Sequence, residues 1–376
     1  MKTKVAIIGT TAQTLLVFRA DLIKQLIKEG ITVFAFAMDY DELTMERVRK
    51  LGATPVSYSL SRYGLNPLTD LIHTWQLSCR LRELQIDVVF SYFSKPVIFG
   101  SLAARFAGVK RCVGMLEGLG YTFTPTKKIS FKRWFAKRVQ VFLYRCMLSE
   151  LDRVIFLNGD DQHELLENYS IKAKDTLILG GIGLDLSNYC YSPPPKAPFR
   201  FIFIGRLLEE KGIHFYLDAA QAIKQSYPRV VFTILGQMEK KASSKKLAKR
   251  VLQYQTDGIV EFPGQVDNVV EWLTNASVFV LPSYREGFPR STQEAMAIGR
   301  PAITTNVPGC RHSVLDGVTG FVVEINDVQA LIDKMLWFIE NPEAVESMGR
   351  AGREFAELHY DADKINTRLI QAIFDN

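Results

Sequence analysis

Short apolar runs alternate along the chain with longer amphipathic stretches. An apolar run closed by a turn residue is typical of a buried parallel strand, and apolar residues three or four apart indicate a helix. In the first half of the chain, this pattern predicts strands over 5–8, 31–37, 87–91, 111–116, 154–157 and 176–179. It predicts helices over 15–26, 43–51 and 97–106. Such alternation predicts an α/β fold with a parallel, doubly wound sheet.

The same alternation restarts after a proline-rich segment. Residues 191–198 include four prolines, which favours a stiff linker over a helix or a central strand. Beyond it, the pattern predicts strands over 200–204, 230–235, 259–262 and 277–281. It predicts helices over 213–225, 245–255, 269–274, 328–339, 343–359 and 363–374. A chain of 376 residues also exceeds one ordinary core, so we expect two domains.

Composition fits a soluble globular protein, with 47% hydrophobic and 23% charged residues. The five cysteines form no C-x-x-C pair, and we expect reduced, mostly buried thiols. The apolar run that ends at Gly9 is too short for a signal peptide. No stretch of 18 apolar residues occurs, so we expect no membrane-spanning helix.

The net charge of +6 is concentrated in one segment. Residues 121–150 hold seven basic residues and one acid, with aromatic residues between them. A basic and aromatic stretch of this kind can lie on an anionic membrane surface. The residues expected to contact the membrane are Lys127, Lys128, Lys132, Arg133, Trp134, Lys137 and Arg138. An ordinary solvated helix is the alternative, and no nucleic-acid partner is expected because no nucleic-acid fold signature accompanies the segment.

Candidate ligand-binding groups are concentrated around a predicted strand, turn and helix near Gly287. The strand 277–281 is followed by a turn and by helix formers that continue to Gly299. This geometry aims backbone N–H groups and the positive end of a helix dipole at a ligand. Glu286 and Glu294 flank the turn, so the unit suits a ligand with phosphates and sugar hydroxyls.

A second turn, Gly205-Arg206, also follows a predicted strand directly. Both turns should therefore open at the same edge of the sheet. Fixed cations at such an edge stabilise negative charge on a bound phosphate. Arg206 and Lys211 can provide this stabilisation without a metal, and we expect neither a metal nor a cofactor.

The E-x7-E spacing of Glu286 and Glu294 resembles that of the retaining glycosyltransferases of family four, which have the two-domain GT-B fold. Gly205-Arg206 with Lys211-Gly212 looks like the diphosphate site of that family, and Pro308-Gly309 and residues 316–321 resemble its later G-x-P and D-G-x-T-G-x-L segment. Within the family, residues 61–62, 65–67 and 117–120 look similar to PglA-like bacterial enzymes. Those enzymes add N-acetylhexosamine to a sugar linked to undecaprenyl diphosphate.

The resemblance implies a GT-B fold of two Rossmann-like, doubly wound domains with an interdomain cleft. Residues 1–190 would bind the acceptor, 199–360 would bind the nucleotide sugar, and the last helix, 361–376, would pack back on the first domain. It implies a peripheral protein at the cytoplasmic face of the inner membrane, working in bacterial surface-glycan assembly. The implied reaction is retaining transfer of N-acetylhexosamine, with GalNAc and an α-1,3 linkage as the specific hypothesis, from a UDP-sugar to an undecaprenyl-diphosphate-linked sugar.

The resemblance also assigns roles to residues. The candidate catalytic residues are Arg206, Lys211, Glu286 and Glu117, and the candidate donor-binding residues are Gly9, Thr10, Gly205, Val266, Gly287, Phe288 and Glu294. Glu286 would hold hydroxyls of the donor sugar and Glu294 those of the ribose. Glu117 could orient an acceptor hydroxyl, contact the donor or cap its loop. Arg19 and Arg62 would bind the acceptor's diphosphate, or else be surface cations.

Two other functions remain open from the sequence. A sugar-nucleotide epimerase of similar fold would need acid and base residues around C2 of the sugar, and the five histidines form no convincing set. A non-catalytic protein that docks on the membrane would not need the site residues. The presence of Arg206, Lys211, Glu286 and Glu294 argues against that function.

Overall fold

The computed structural model describes residues 2–60, 67–125, 130–238 and 245–375. Their contacts divide the chain into two compact units. The first comprises Met1–Ile182 and Asp363–Asn376, and the second comprises Gly183–Ala362. The first unit thus ends at Ile182, ahead of the boundary at residue 190 in the sequence analysis.

The first unit contains a seven-stranded parallel sheet in the order β3-β2-β1-β4-β5-β6-β7. Its strands are β1 (Lys4–Ile8), β2 (Thr32–Ala37), β3 (Thr54–Ser57), β4 (Val88–Tyr92), β5 (Arg111–Leu116), β6 (Arg153–Phe156) and β7 (Thr176–Ile178). Its helices up to that point are α1 (Ala12–Phe18), α2 (Ala20–Lys28), α3 (Glu42–Lys50), α4 (Pro67–Glu83), α5 (Ser101–Ala107), α6 (Phe131–Met147) and α7 (Gly159–His163). The predicted doubly wound sheet is confirmed, with its order reversing between β1 and β4.

The predicted helix over 15–26 is interrupted at Arg19. This residue has φ −127° and ψ 0°, so α1 ends before it and α2 begins after it. The break allows the Arg19 side chain to turn into the protein, where it is 1% exposed. Helical periodicity did not reveal the break, because the apolar residues on both sides keep the spacing of a single helix.

The sequence analysis missed β3, α4 and the short α7, and the first two show why. Of the four residues of β3, only Val56 is buried, so no apolar run marks the strand. Helix α4 exposes Leu71, Ile72 and Trp75, so its apolar residues do not define one buried face. In both elements tertiary packing, and not the apolar period, decides the structure.

The second unit contains a six-stranded parallel sheet in the order β10-β9-β8-β11-β12-β13. Its strands are β8 (Arg200–Ile204), β9 (Val231–Leu235), β10 (Glu261–Gly264), β11 (Val278–Leu281), β12 (Ala302–Thr305) and β13 (Gly320–Val323). Its helices are α8 (Ile213–Ser226), α9 (Lys245–Thr256), α10 (Val269–Thr274), α11 (Arg290–Ile298), α12 (Val328–Glu340) and α13 (Pro342–His359). Strands β12 and β13 were not predicted, and the remaining elements confirm the second doubly wound sheet.

The last helix, α14 (Ala362–Phe374), packs on the first unit. Arg111 donates from Nε to the carbonyl of Ile373 at 2.5 Å. Arg153 donates to the carbonyl of Ala372 at 3.1 Å. These bonds satisfy carbonyls at the end of the helix that have no partner within it.

The proline-rich segment is bound to the second unit. Arg300 is fully buried and donates to the carbonyls of Ser192 at 2.8 Å and Pro193 at 3.3 Å. It also donates to the carbonyls of Leu273 and Thr274. The segment interpreted as a linker is therefore held by a buried guanidinium, whose five N–H donors can serve several carbonyls at once.

The five cysteines divide between buried and exposed positions. Cys112 and Cys310 are buried, but Cys79, Cys146 and Cys190 are exposed. The expectation of mostly buried thiols is therefore wrong. In the described ranges, none of the helices combines the length and apolar character needed to cross a bilayer.

Candidate functional site

The candidate residues of the second unit follow the strands at which its sheet reverses order. Strands β8 and β11 are neighbours, with Phe201 opposite Val278 and Ile202 opposite Phe279. The turn after β8 and the loop after β11 therefore emerge at one edge, as predicted. In doubly wound sheets, ligands bind outside the carboxyl ends of the strands at this reversal point.

Lys211 and Glu286 form an ion pair at this edge. Nζ of Lys211 donates to both oxygens of Glu286, at 2.6 and 2.7 Å. The hydroxyl of Ser283 donates to Oε1 of the same carboxylate at 2.7 Å. The side chains are 21% and 11% exposed, so solvent screens the pair only in part. The sequence analysis gave these residues separate tasks, whereas the structure bonds them to each other.

Two glycines allow the chain to approach the loop that carries Glu286. Gly309, at φ +78°, lies where a Cβ would be 2.3 Å from the carbonyl oxygen of Glu286. Gly212, at φ +67°, lies where a Cβ would be 1.8 Å from the carbonyl oxygen of Pro282. Glycine tolerates positive φ and has no side chain to clash. The N–H of Glu286 also donates to the carbonyl of Pro308 at 3.0 Å.

Glu294 is held by two side chains. The hydroxyl of Tyr189 and Nε of Arg290 each donate to its Oε1 at 2.9 Å. Burial and the neighbouring Glu294 raise the pKa of Tyr189 to about 12, so the phenol remains a donor at neutral pH. The sequence analysis missed both partners. The i,i+4 spacing of Arg290 and Glu294 on α11 could have shown the first, and no sequence signal indicates the second.

The remaining donor-side candidates have contacts of their own. Gly205 follows β8 and donates its N–H to the carbonyl of Leu235 at 3.0 Å, while the next residue, Arg206, is exposed. Gly287 follows Glu286 and is half-buried. The ring of Phe288 packs edge-on against Tyr360, with 5.7 Å between centroids.

Val266, the last donor-side candidate, lies in the segment between β10 and α10. It is half-buried against the core of the unit. Of the residues that the structure describes, no group of three or more His, Cys, Asp or Glu side chains is placed to hold a metal ion.

In the first unit, Arg19 and Glu117 form a buried ion pair, with side-chain exposures of 1% and 6%. Arg19 also donates to the carbonyl of Phe18 at 2.8 Å, and its guanidinium lies 4.5 Å from the ring centroid of Tyr92. Glu117 follows β5 directly. The alternative of a surface cation is therefore wrong for Arg19.

Tyr92 covers Gly9 at the end of β1. A Cβ on Gly9 would lie 2.0 Å from the Tyr92 hydroxyl oxygen. The N–H of Gly9 donates to the carbonyl of Phe36 at 3.1 Å, and the carbonyl of Thr10 accepts from Met38 at 3.0 Å. The backbone of Gly9 and Thr10 is therefore hydrogen-bonded to β2 and to Met38, the residue that follows it.

The basic segment does not present all its predicted contacts to solvent. Arg133 is buried, donates to the carbonyl of Thr124, and lies 4.4 Å from the ring centroid of Tyr121. Nζ of Lys137 lies 3.5 Å from Oε1 of Glu164. The membrane prediction is therefore wrong in placing Arg133 at the surface, because successive residues of a helix point about 100° apart.

The other predicted contacts of this segment divide into two groups. Lys132, Trp134 and Arg138 are exposed on α6. Lys127 and Lys128 lie outside the described residues, as does the acceptor candidate Arg62.

Two family models match the chain. The model described as "Glycosyltransferase Family 4" matches residues 17–186, and the model described as "Glycosyl transferases group 1" matches residues 192–355. Among solved structures, HepE of Anabaena in complex with UDP and glucose has a TM-score of 0.80 and 18% identity, with coverage of 98% of this chain and 99% of that one. With these matches and its two parallel sheets, the protein is a glycosyltransferase of the GT-B fold.

The names of two similar proteins state a transferred sugar, a linkage and a lipid-linked acceptor. The N,N′-diacetylbacillosaminyl-diphospho-undecaprenol α-1,3-N-acetylgalactosaminyltransferase of Campylobacter jejuni is 26% identical over 94% of each chain. The UDP-Gal:α-D-GlcNAc-diphosphoundecaprenol α-1,3-galactosyltransferase of Escherichia coli is 28% identical over 72% of this chain and 70% of the relative. The resemblance to PglA-like enzymes found in the sequence is thus confirmed.

Proposed function

We propose that the protein transfers N-acetylhexosamine from a UDP-sugar to an undecaprenyl-diphosphate-linked sugar, with retention of configuration. The names of both relatives support the acceptor class and the α-1,3 linkage. Their donors differ, because one transfers N-acetylgalactosamine and the other galactose. We favour UDP-GalNAc because the likeness to the first relative extends over more of the chain.

The observation that carries this proposal is the Lys211–Glu286 pair at the edge where the second sheet reverses order. In the proposed reaction, Lys211 and Arg206 stabilise the negative charge that develops on the β-phosphate. Glu286 accepts hydrogen bonds from hydroxyls of the donor sugar in place of its bond from Lys211. Glu294, held by Tyr189 and Arg290, accepts hydrogen bonds from the ribose hydroxyls.

Retention follows when the acceptor attacks from the side on which UDP departs. The acceptor oxygen forms a bond to C1 while the bond from C1 to the phosphate oxygen breaks, through an oxocarbenium-like state. The departing phosphate takes the acceptor proton, so no side-chain nucleophile is required. The product is a new glycosidic bond together with UDP.

The proposal assigns the acceptor to the first unit. Glu117 follows β5, and Gly9 follows β1 near the point where that sheet reverses order. An acceptor with an undecaprenyl chain keeps that chain in the bilayer. The protein would therefore work as a peripheral protein at the cytoplasmic face of the inner membrane.

A donor panel tests the reaction. The full-length protein is incubated with labelled UDP-GalNAc, UDP-GlcNAc, UDP-Gal or UDP-Glc and a synthetic polyprenyl-diphosphate-linked sugar, and transferred label and linkage are read by mass spectrometry and NMR. We expect transfer from a UDP-N-acetylhexosamine in α-1,3 linkage. Conversion of the donor without an acceptor would instead identify an epimerase. UDP binding without turnover on any acceptor would identify a non-catalytic protein.

A further inference from the structure

Helix α6 presents an aromatic stripe to solvent. We use the name stripe for Phe131, Trp134, Phe135, Arg138, Phe142 and Arg145. Apart from the adjacent Trp134 and Phe135, neighbouring members are three or four residues apart along the helix. Residues with this spacing lie on one face of a helix. The aromatic members are exposed by 77% for Phe131, 46% for Trp134, 51% for Phe135 and 61% for Phe142.

The opposite face of α6 is firmly packed. Val141, Tyr144 and Met147 are buried there together with Arg133. The hydroxyl of Ser130 caps the helix by accepting from the N–H of Arg133 at 3.3 Å. One face of the helix is therefore buried in the core of the first unit, and the four exposed rings on the other face are not part of that core.

The charge on the outward face is of one sign. Helix α6 contains no Asp or Glu. The exposed cations are Lys132, Arg138 and Arg145, and within the described ranges none of them forms an ion pair with a carboxylate. Arg145 donates from Nη2 to the carbonyl of Tyr169 at 2.9 Å. The guanidinium of Arg138 lies 5.0 Å from the ring centroid of Trp134. Aromatic rings and cations are thus combined on one surface.

We propose that the stripe, together with the adjacent exposed Lys132, is the face by which this protein lies on an anionic bilayer. Rings on such a face enter the boundary between headgroups and acyl chains, while Lys and Arg reach the lipid phosphates. The choice of a membrane as partner rests on the proposed function, whose acceptor is held in a bilayer. The positive charge without any acid on α6 fits anionic lipid.

This surface differs from the set that the sequence indicates. Arg133 and Lys137 are excluded from it, because one is buried and the other is paired with Glu164. Phe131, Phe135, Phe142 and Arg145 are added. The docking surface is therefore defined by a helical face and not by the basic doublets.

Vesicle sedimentation tests the aromatic part. The full-length protein is mixed with phosphatidylcholine vesicles, or with vesicles in which phosphatidylglycerol replaces half of that lipid. We expect binding only to the anionic vesicles, and loss of at least tenfold in affinity when Trp134 and Phe135 are both changed to Ser. The matched control is Trp75→Ser on α4, since Trp75 is 57% exposed on the same unit. Equal loss in both variants would overturn the assignment to α6.

Charge substitutions distinguish binding through this particular face from attraction by the net charge of the protein. Each Lys or Arg near an anionic surface strengthens binding by about fivefold. Lys132→Gln together with Arg138→Gln should therefore weaken binding by roughly 25-fold. Lys137→Gln removes the same charge per substitution from the side that faces Glu164, and it should change binding less than twofold. Equal effects per charge would show a general electrostatic attraction and overturn the proposal.

Fluorescence reports whether the rings enter the bilayer. Brominated lipids quench a tryptophan that reaches the acyl boundary. Quenching in the wild type should be largely absent from the Trp134→Phe variant, and undiminished quenching in that variant would contradict insertion of the stripe. Circular dichroism and UDP binding confirm that each variant is folded.

Two further results keep this proposal distinct from the proposed function. The Trp134→Ser/Phe135→Ser variant should transfer sugar to a short-chain, water-soluble acceptor like the wild type, and lose activity only on the full-length lipid. Inactivity of the wild type on both acceptors, with vesicle binding intact, would reject the reaction but not the docking face. If sedimentation velocity shows a dimer that this variant dissociates, the stripe is instead an interface between two copies.

Discussion

Lys211 donates to both carboxylate oxygens of Glu286, at 2.6 and 2.7 Å. A residue proposed to stabilise a phosphate and one proposed to bind a sugar are thus each other's partners. In the proposed reaction, donor binding exchanges this bond for one from Lys211 to the diphosphate and one from Glu286 to the sugar. The exchange makes the effects of substituting either residue distinguishable.

Glu286→Gln should reduce turnover without weakening UDP. The amide cannot accept from Lys211 and sugar hydroxyls as a carboxylate does, and a lost charge-assisted hydrogen bond corresponds to roughly a 10- to 100-fold lower kcat. The released Lys211 remains available to the diphosphate, so UDP affinity should be equal to that of the wild type or higher. Calorimetry with UDP and steady-state kinetics with the sugar nucleotide measure the two effects. Tenfold weaker UDP binding would contradict this division of roles.

Arg206→Ala and Lys211→Ala should each lower kcat by roughly a hundredfold, because each removes a cation from the developing charge on the β-phosphate. Arg229→Ala is the matched control, since Arg229 is an exposed cation of the same unit that does not follow a strand at this edge. Initial rates at saturating donor and acceptor provide the measurement. Near-normal kcat in Arg206→Ala or Lys211→Ala would remove that residue from the diphosphate site.

Glu294→Ala should weaken UDP itself, because the ribose contact is common to donor and product. Tyr189→Phe removes one hydrogen bond to Glu294 and should weaken UDP by only about fivefold, from a net hydrogen-bond contribution of about 1 kcal/mol. Calorimetric titration with UDP measures the affinity of the Glu294→Ala and Tyr189→Phe variants and of the wild type. Glu343→Ala, at an exposed carboxylate of α13, is the control. Unchanged UDP affinity in Glu294→Ala would refute its assignment to the ribose.

Arg19→Met should lower the free energy of unfolding by roughly 3–5 kcal/mol, because it leaves the charge of Glu117 buried without its cation. The double variant Arg19→Met/Glu117→Met should be more stable than Arg19→Met alone, since no buried charge remains. Thermal unfolding followed by circular dichroism measures both. Lys24→Met breaks the exposed pair with Asp21 and should change stability far less. A small effect of Arg19→Met would show that the pair is not a buried one in solution.

Three of the five thiols should react with a disulfide reagent in the native protein at pH 8. These are the exposed Cys79, Cys146 and Cys190. Burial raises the pKa of Cys112 and of Cys310 to about 12, so at pH 8 only about one in 10,000 of these thiols is the reactive thiolate. Denaturant should release the remaining two. Rapid reaction of all five without denaturant would contradict the burial of Cys112 and Cys310.

The sequence predicted both sheets and the carboxylates of the candidate site because both depend on local signals. Continuous apolar runs marked β8 and β11, and the two glutamates lie on one short segment after β11. The partners of those glutamates depend on folding. Tyr189 meets Glu294 across 105 positions of sequence, and Lys211 meets Glu286 across 75, which no local pattern records.

Burial of charged residues was the main feature that the sequence did not show. Arg19 lies in an apparently continuous helical pattern, and only the break between α1 and α2 brings its side chain to Glu117. Arg133 belongs to a basic doublet with Lys132, yet the two side chains lie on different faces of α6. The sequence alone does not show whether a basic side chain will be buried against a carboxylate, as Arg19 is, or against a backbone carbonyl, as Arg133 is.

Gly212 and Gly309 have a consequence for how the candidate site tolerates change. A methyl group at either position would overlap a backbone oxygen, at 1.8 Å from Pro282 or 2.3 Å from Glu286. Contacts between backbone atoms therefore fix the position of the loop that carries Glu286. Substituting the side chains that point out of this loop leaves those backbone contacts unchanged. In the proposed function this loop contacts the donor sugar, so substitutions of its side chains would alter sugar preference, whereas one added carbon at either glycine would displace the whole loop.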